Sequence, residues 1–332
     1  MFIPFWTRTL LRAEVRVLQA TISSHGWRAA FAGPVPVADA PPGATDREAQ
    51  VGTWLLAQRA PRMEDGSMSS DVTWLESMPE VYDRELGPAL FHPFAEHLAS
   101  LTREMAPGRV LELAAGTGIA TSALARALPD AHITATDLNP AMVSWAAQRE
   151  PGATWLEADA QALQFSDGSF DLVVCQFGVM FFPDKPAAFA EAARVMAPGG
   201  TLLFAVWDVV EVSPFPAAMM ASLSTMFPDD PPGFIVRLPH GYADPDQIRA
   251  DVQAGGLEVE SLQRVVLTGT ASSAEGLTEG FCLGTPLRFA LQERGELDVL
   301  IVQLTEQMVT RLGPGPLEGE SAAFVITARR AP

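Results

Sequence analysis

The chain has 332 residues, 48% of them hydrophobic and 19% charged, enough apolar material for a sizeable buried core and far from a disordered composition. Its 22 Lys and Arg face 40 Asp and Glu, a formal net charge of −18, which argues against nucleic acid or an anionic membrane surface as a standing partner, because both need clustered Lys and Arg. No run of 18 uncharged apolar residues could enter a bilayer, and two cysteines, Cys175 and Cys282, exclude a disulfide framework or a Cys-based zinc cage and predict a reducing, cytoplasmic setting.

Residues 1–67 stand apart, with seven Arg against six acids, and the Gly- and Pro-rich stretch 33–43 reads as linker. Arg8, Arg12 and Glu14 interrupt the opening apolar residues, so a secretory signal is not expected. A transit peptide and a functional start at Met68 are alternatives to the simplest reading, an extension, poorly ordered or partly helical, that adds nothing to the chemistry. Residues 68–332 are then the working domain. From Val81 to Met105 the positions Leu86, Leu90, Phe94, Leu98 and Leu101 make the stripe of an amphipathic helix. Strands follow at 109–113, 132–137, 154–157, 170–175 and 201–207, with helices at 119–128, 140–149 and 186–196 between them. A helix near 244–254 and strands at 257–267 and 322–328 come last. This alternation predicts a mostly parallel α/β sheet with helices on both faces.

The segment Val110–Gly118 runs a strand into a small-residue turn and then a helix. Gly116 and Gly118 permit a tight bend and close ligand approach, and the helix start offers free N–H groups. Asp137, 21 residues after Gly116, ends the second strand, where a carboxylate can hold a ribose diol or, alternatively, cap the helix starting at Pro140. Together these features imply a ribose-bearing cofactor, with nicotinamide dinucleotide and S-adenosylmethionine both open. Three residues weigh against the dinucleotide. The third glycine of its fingerprint is replaced by Thr121. Glu112 would repel a pyrophosphate but suits an ammonium or sulfonium. Asp159, after the third strand, can accept from an adenine amino group.

The stretch Val110–Trp207 resembles the class I S-adenosylmethionine-dependent methyltransferases, and within them the methyltransferase type 11 branch that includes ubiquinone and menaquinone C-methyltransferases. The resemblance rests on Glu112-Leu-Ala-Ala-Gly-Thr-Gly118, Asp137-Leu-Asn-Pro-Ala-Met142, Asp159-Ala-Gln161, Asp167-Gly-Ser-Phe-Asp171, Gln176-Phe-Gly178 and Pro198-Gly-Gly200, in family order and spacing. It implies a Rossmann-like sheet of seven strands, the last antiparallel, with a helical cover. It also implies roles: Glu112 and Gln176 at the methionine end, and Ala114, Gly116 and Gly118 as backbone contacts. Asp137 would take the ribose, Leu138 and Met142 the adenine faces, and Asp159, Ala160 and Gln161 the adenine edge. Tyr82 resembles a tyrosine that closes over the cofactor. Ala114 departs from the glycine often found there, a common variant.

Methyl transfer from a sulfonium needs alignment and exclusion of water, and needs a base only if the acceptor arrives protonated. His240 and Tyr242, in a loop between two prolines, and His92 on the N-terminal helix are candidate bases. The Met-, Phe- and Pro-rich segment 209–243 reads as an insertion that covers either an apolar acceptor or simply the sheet end, and the segment 270–316 as the other wall of that pocket or a dimer surface. The expectation is therefore an S-adenosylmethionine-dependent methyltransferase of a small, partly apolar molecule, with carbon, oxygen and nitrogen acceptors open, no metal, and a monomer or homodimer. A binding module without turnover and a nicotinamide oxidoreductase are the competing readings.

Overall fold

The computed structural model describes residues 78–330, so the expectation for residues 1–67 lies outside the described residues. Strands β1 (Arg109–Glu112), β2 (His132–Asp137), β3 (Thr154–Glu157), β4 (Phe170–Gln176), β5 (Met196–Trp207), β6 (Leu257–Ala271) and β7 (Leu317–Arg330) form one sheet in the order β3-β2-β1-β4-β5-β7-β6. The pairs among β1 to β5 are parallel, and β7 runs antiparallel to both β5 and β6. This is the seven-stranded, Rossmann-like arrangement implied by the resemblance, with the last strand reversed. The chain lays β2 and β3 on one side of β1 and then crosses to β4 on the other. That switch of direction opens a crevice beyond the carboxyl ends of β1 and β4, where open α/β sheets take their ligands.

The central strands are near-continuous apolar runs because helices cover both faces: Val110, Leu111, Val173, Val174, Leu203 and Phe204 are all fully buried. Helices α3 (Ile119–Ala127), α4 (Pro140–Arg149) and α5 (Lys185–Val195) connect the parallel strands. Proline sits in the first turn of α4 and α5, where its missing N–H costs nothing, and Asn139 and Asp184 cap them.

Three departures from the sequence expectation have physical causes. The N-terminal helix is built in three pieces: α1 (Met78–Val81), a π-helix (Tyr82–Phe91) and α2 (His92–Thr102). The wide turn matches Pro88, which has no N–H to give, and the His92 N–H reaches five residues back to the carbonyl of Gly87. Leu86, Leu90, Phe94 and Leu98 are buried as the stripe requires, whereas Leu101, in the last turn, is exposed. Second, β5 begins at Met196 rather than after Pro198-Gly199-Gly200. That tripeptide is accommodated as an irregularity in the β4–β5 register, with Gly199 at φ 78°. Third, β6 and β7 outrun their apolar cores, paired from Leu257 with Arg330 to Ala271 with Leu317, because antiparallel pairing carries polar, half-exposed residues along.

The two insertions are helical. The first holds α6 (Pro214–Met226) and α7 (Phe234–Arg237), and α8 (Pro245–Ala254) follows it. The second holds α9 (Ala274–Gly284), α10 (Leu287–Gln292) and α11 (Leu297–Leu312). Among the described residues no helix is long and apolar enough to cross a membrane.

Candidate functional site

A cleft of about 810 Å³ opens at the carboxyl ends of β1, β2 and β4, within the usual range for small-molecule sites. Its floor is the turn between β1 and α3. Ala114, Gly116 and Gly118 all have positive φ, of 52°, 57° and 85°. A side chain on Gly116 would meet nothing, so the glycine is there for its backbone and keeps the cleft open. One on Gly118 would lie 3.0 Å from the Trp155 ring. The turn is tied to the sheet by the Ala115 N–H, which donates to the Thr136 carbonyl at 2.9 Å.

Asp137 ends β2 and lines the cleft. Its Oδ2 accepts from the Gly116 N–H at 2.8 Å and its Oδ1 from the Asn139 N–H at 2.8 Å. Capping of α4 falls to Asn139 instead, whose Oδ1 accepts from Ala141 N–H. Asp137 is therefore oriented at the cleft by two backbone donors, and each oxygen keeps a lone pair for a ligand hydroxyl. Burial raises its carboxyl above the ordinary value, and the hydrogen bonds from Asn139 and Gly116 oppose the rise.

Glu112, at the end of β1, is buried in the cleft wall, with Oε2 accepting from the Thr121 hydroxyl at 2.6 Å. Thr121 thus spends its side chain on holding a carboxyl, at the position where a dinucleotide fingerprint has glycine. Burial pushes the Glu112 carboxyl up to about 8, with the Thr121 hydrogen bond opposing and Asp137 adding to the effect. With no cation beside it the carboxyl is mainly neutral at pH 7, and a cation there would draw out its proton.

Leu138 is 67% exposed at the rim and Met142 is buried beneath, both lining the cleft. Leu138 is therefore no core residue. Ala160 and Asp159 line it too. Asp159 Oδ1 accepts from the Gln161 backbone N–H and from its Nε2. The Gln161 carbonyl in turn accepts from the Asp184 N–H at 2.8 Å, so Gln161 braces the Asp159 loop against the start of α5. Gln176, at the end of β4, donates from Nε2 to the Phe91 carbonyl at 3.3 Å. Tyr82 stacks on Phe91 at 4.8 Å on the side of the π-helix, and burial raises its phenol far above the ordinary range.

A second, smaller chamber of about 80 Å³ adjoins the cleft, and Tyr82, Phe91, Phe177 and Phe181 belong to the walls of both. Phe177 takes φ +56°, rare for a bulky residue, and lies flat on Trp207 with ring centroids 3.6 Å apart. Gly178 follows because a side chain there would sit 2.5 Å from Ala114 Cβ. Both insertions contribute to the chamber, through Phe234, Ile235 and His240 from one and Phe281 and Thr285 from the other.

Of the three candidate bases only His240 reaches either space. Tyr242 is turned to Asp251, its hydroxyl donating to Oδ2 at 2.8 Å, with the Lys185 ammonium over its ring. His92 starts α2 beside Gly87 and lines neither space.

Five buried side-chain polar atoms lack a hydrogen-bond partner among the described residues, and four belong to residues walling these two spaces. They are Thr117 Oγ1, Trp145 Nε1 and Gln176 Oε1 in the cleft and Ser321 Oγ in the chamber. A buried unpaired polar group costs about 1–3 kcal/mol, so such a concentration marks a ligand site. Of these, only Gln176 has a role implied by the sequence motifs. Trp145 lies one turn beyond Met142 on α4, a spacing that would have indicated it. Phe177 lies inside the Gln176-Phe-Gly178 motif, whose spacing says nothing of its packing on Trp207, and Trp207 and Ser321 carry no local signal.

Residues 111–204 match the family model described as "Methyltransferase domain". Over 107 residues the chain is 41% identical to the demethylmenaquinone methyltransferase of Thermus thermophilus, covering 31% of this chain and 49% of that protein. Over 110 residues it is 36% identical to the malonyl-[acyl-carrier protein] O-methyltransferase of Hahella chejuensis, covering 32% and 39%. The chain therefore spans less than half the length of these two relatives. Among solved structures, the phosphoethanolamine N-methyltransferase 2 of Haemonchus contortus, in complex with S-adenosyl-L-methionine, aligns at TM-score 0.50 and 16% identity, covering 80% of this chain and 61% of that one. At that identity the likeness is one of fold. The span matched by that methyltransferase-domain model, residues 111–204, includes the cleft's glycine turn and the acidic end of β2, the same residues that carry the resemblance.

Proposed function

We propose that this chain transfers a methyl group from S-adenosylmethionine to a small, partly apolar acceptor by in-line displacement. When bound, S-adenosylmethionine supplies a methyl carbon activated by a sulfonium leaving group. The observation that carries the reading is the clustering of orphaned buried polar atoms in a cleft that also holds Asp137 and Glu112. In this reading Asp137 holds the ribose hydroxyls, and Leu138 and Met142 flank the adenine. Asp159 and Ala160 meet its edge, with Gln161 bracing them. The Gln176 carbonyl, lacking a partner among the described residues, and Glu112 receive the methionine ammonium. Ala114, Gly116 and Gly118 bring backbone close to the ligand, and Tyr82 covers it.

The buried Glu112 carboxyl held by Thr121, where a dinucleotide fingerprint has its third glycine, disfavours a nicotinamide dinucleotide. The rest of the catalytic effect is positional: aligned reactants sheltered from water gain about 7–11 kcal/mol over the free encounter. The aromatic wall shared by cleft and chamber is suited to that exclusion. The net charge of −18 supports a small molecule over nucleic acid as acceptor. The test is to incubate the protein with a metabolite extract and methyl-labelled S-adenosylmethionine, then search for labelled products by mass spectrometry. A labelled small molecule is expected. Binding of the donor without any labelled product would favour a module that binds without turnover.

A further inference from the structure

The chamber beyond the cleft has a chemistry of its own. Its walls are largely aromatic, from Phe91, Phe177, Trp207, Phe234 and Phe281, and its volume of about 80 Å³ is below the ~150 Å³ of a cavity that accepts benzene. It suits the reacting end of a compact, flat molecule. Only a few polar groups line it, and two of them are poised for a ligand. Ser321, on β7, is 2% exposed, and its hydroxyl has no partner among the described residues. His240 is 8% exposed, and its Nδ1 lies 2.6 Å from the backbone carbonyl of Asp208.

A carbonyl oxygen can only accept, so Nδ1 carries the proton and the neutral ring presents Nε2 as a lone-pair acceptor. No hydrogen bond to Nε2 is found among the described residues. Burial holds the imidazole below its ordinary value and so neutral at pH 7, against the opposing pull of the Asp208 and Glu211 carboxylates. Asp208 is itself held by Arg264 Nε at 2.6 Å, which fixes the carbonyl that orients the ring.

We propose that the methyl acceptor is a phenolic or enolic hydroxyl on a compact apolar frame, its hydroxyl end seated in this chamber and the rest of the frame extending past the shared aromatic wall toward the cleft, with Ser321 as a hydrogen-bond partner and His240 as the general base. This rests on the methyltransferase reading above. In the transfer the acceptor oxygen forms the new O–C bond while the C–S bond breaks and leaves its electron pair on sulfur, which becomes a neutral thioether. The hydroxyl proton passes to Nε2 of His240, and the imidazolium later gives it to water.

The test offers the full chain phenol, 4-nitrophenol and, as a control without a hydroxyl, toluene, with methyl-labelled S-adenosylmethionine at pH 8. Phenol must lose a proton during transfer, whereas 4-nitrophenol is already ionised. The expected results are labelled methyl ethers of both phenols and none from toluene. His240→Gln should lower turnover of phenol by about 10²–10⁴-fold and turnover of 4-nitrophenol by less than about threefold. Calorimetry of phenol with no methyl donor present should show binding that Ser321→Ala weakens by about threefold to tenfold. Equal losses on both acceptors in His240→Gln would make the histidine structural and overturn its role as base. Donor binding with no methylation of either phenol would overturn the hydroxyl acceptor while leaving the methyltransferase reading intact. Failure to bind S-adenosylmethionine would instead overturn that underlying reading.

Discussion

The cleft and the chamber share a wall yet are built on opposite principles. Apart from Tyr82 and Phe91 of the π-helix, the cleft comes from one contiguous stretch: the loops after β1, β2, β3 and β4 present glycines, carboxyls and backbone N–H groups within the span matched by the family model. The chamber is assembled from the π-helix, the end of β5, both insertions and β7, and its surface is mainly aromatic. The difference teaches that recognition of a fixed cofactor can be written into a short polar motif. A pocket for a variable acceptor is instead shaped by packing between distant segments.

The sharpest way to test that division is Asp137→Ala. Two hydrogen bonds to a charged group at about 1.5–3 kcal/mol each imply a loss of S-adenosylmethionine affinity of about 10²–10⁴-fold by calorimetry. Phenol binding to the chamber should be unchanged. Loss of both would show that the two spaces are one.

Gly178→Ala attacks the joint between them. The added carbon would sit 2.5 Å from Ala114 Cβ and 2.8 Å from Cys175 Sγ. Overpacking there should cost about 1–3 kcal/mol in urea denaturation, and should impair cofactor and acceptor binding together.

Glu112→Gln gives a pH signature confined to the cleft. The Glu112 carboxyl is raised from 4.5 to about 8 in the folded chain, so its stabilising contribution is complete below pH 4.5 and is lost as pH climbs through about 8. Measured without added S-adenosylmethionine, the glutamine variant should therefore melt higher than the parent at pH 8 and no higher at pH 4. Ionisation of Glu112 on docking of a cation also predicts that S-adenosylmethionine affinity in the parent rises with pH up to about 8. The variant should bind more weakly and without that slope.

The smallest effect is expected at Ala114, a non-glycine at φ 52°. Ala114→Gly removes the strain of a left-handed alanine but loosens the unfolded chain, for a net gain under about 1 kcal/mol in melting experiments.

Much of the sheet was legible because buried parallel strands and amphipathic helices impose periods on the sequence, and glycine or proline punctuates them. The strand ends failed where neighbours rather than propensity set the length, as in the polar flanks of β6 and β7. The π-helix was illegible because its stripe of Leu86, Leu90, Phe94 and Leu98 is also that of an ordinary helix. In the cleft, Gly116, Gly118, Asp137 and Gln176 could be picked out because backbone conformation and strand ends constrain residue type locally. Thr117 and Trp145 escaped because a threonine in a turn or a tryptophan on a helix has many ordinary uses.

The sequence by itself determined the alternating layers, the glycine turn, the acid that closes β2, and hence the resemblance to a methyltransferase domain over residues 111–204. Only the tertiary structure decided that Asn139 rather than Asp137 caps α4. It alone brought His240, and neither His92 nor Tyr242, to a pocket wall, and set Ser321 beside it without a partner among the described residues. The physical reason is range: a turn or a cap is settled by a few consecutive dihedral angles, whereas side chains as distant in sequence as Tyr82, His240 and Ser321 converge only through the packing of the whole core.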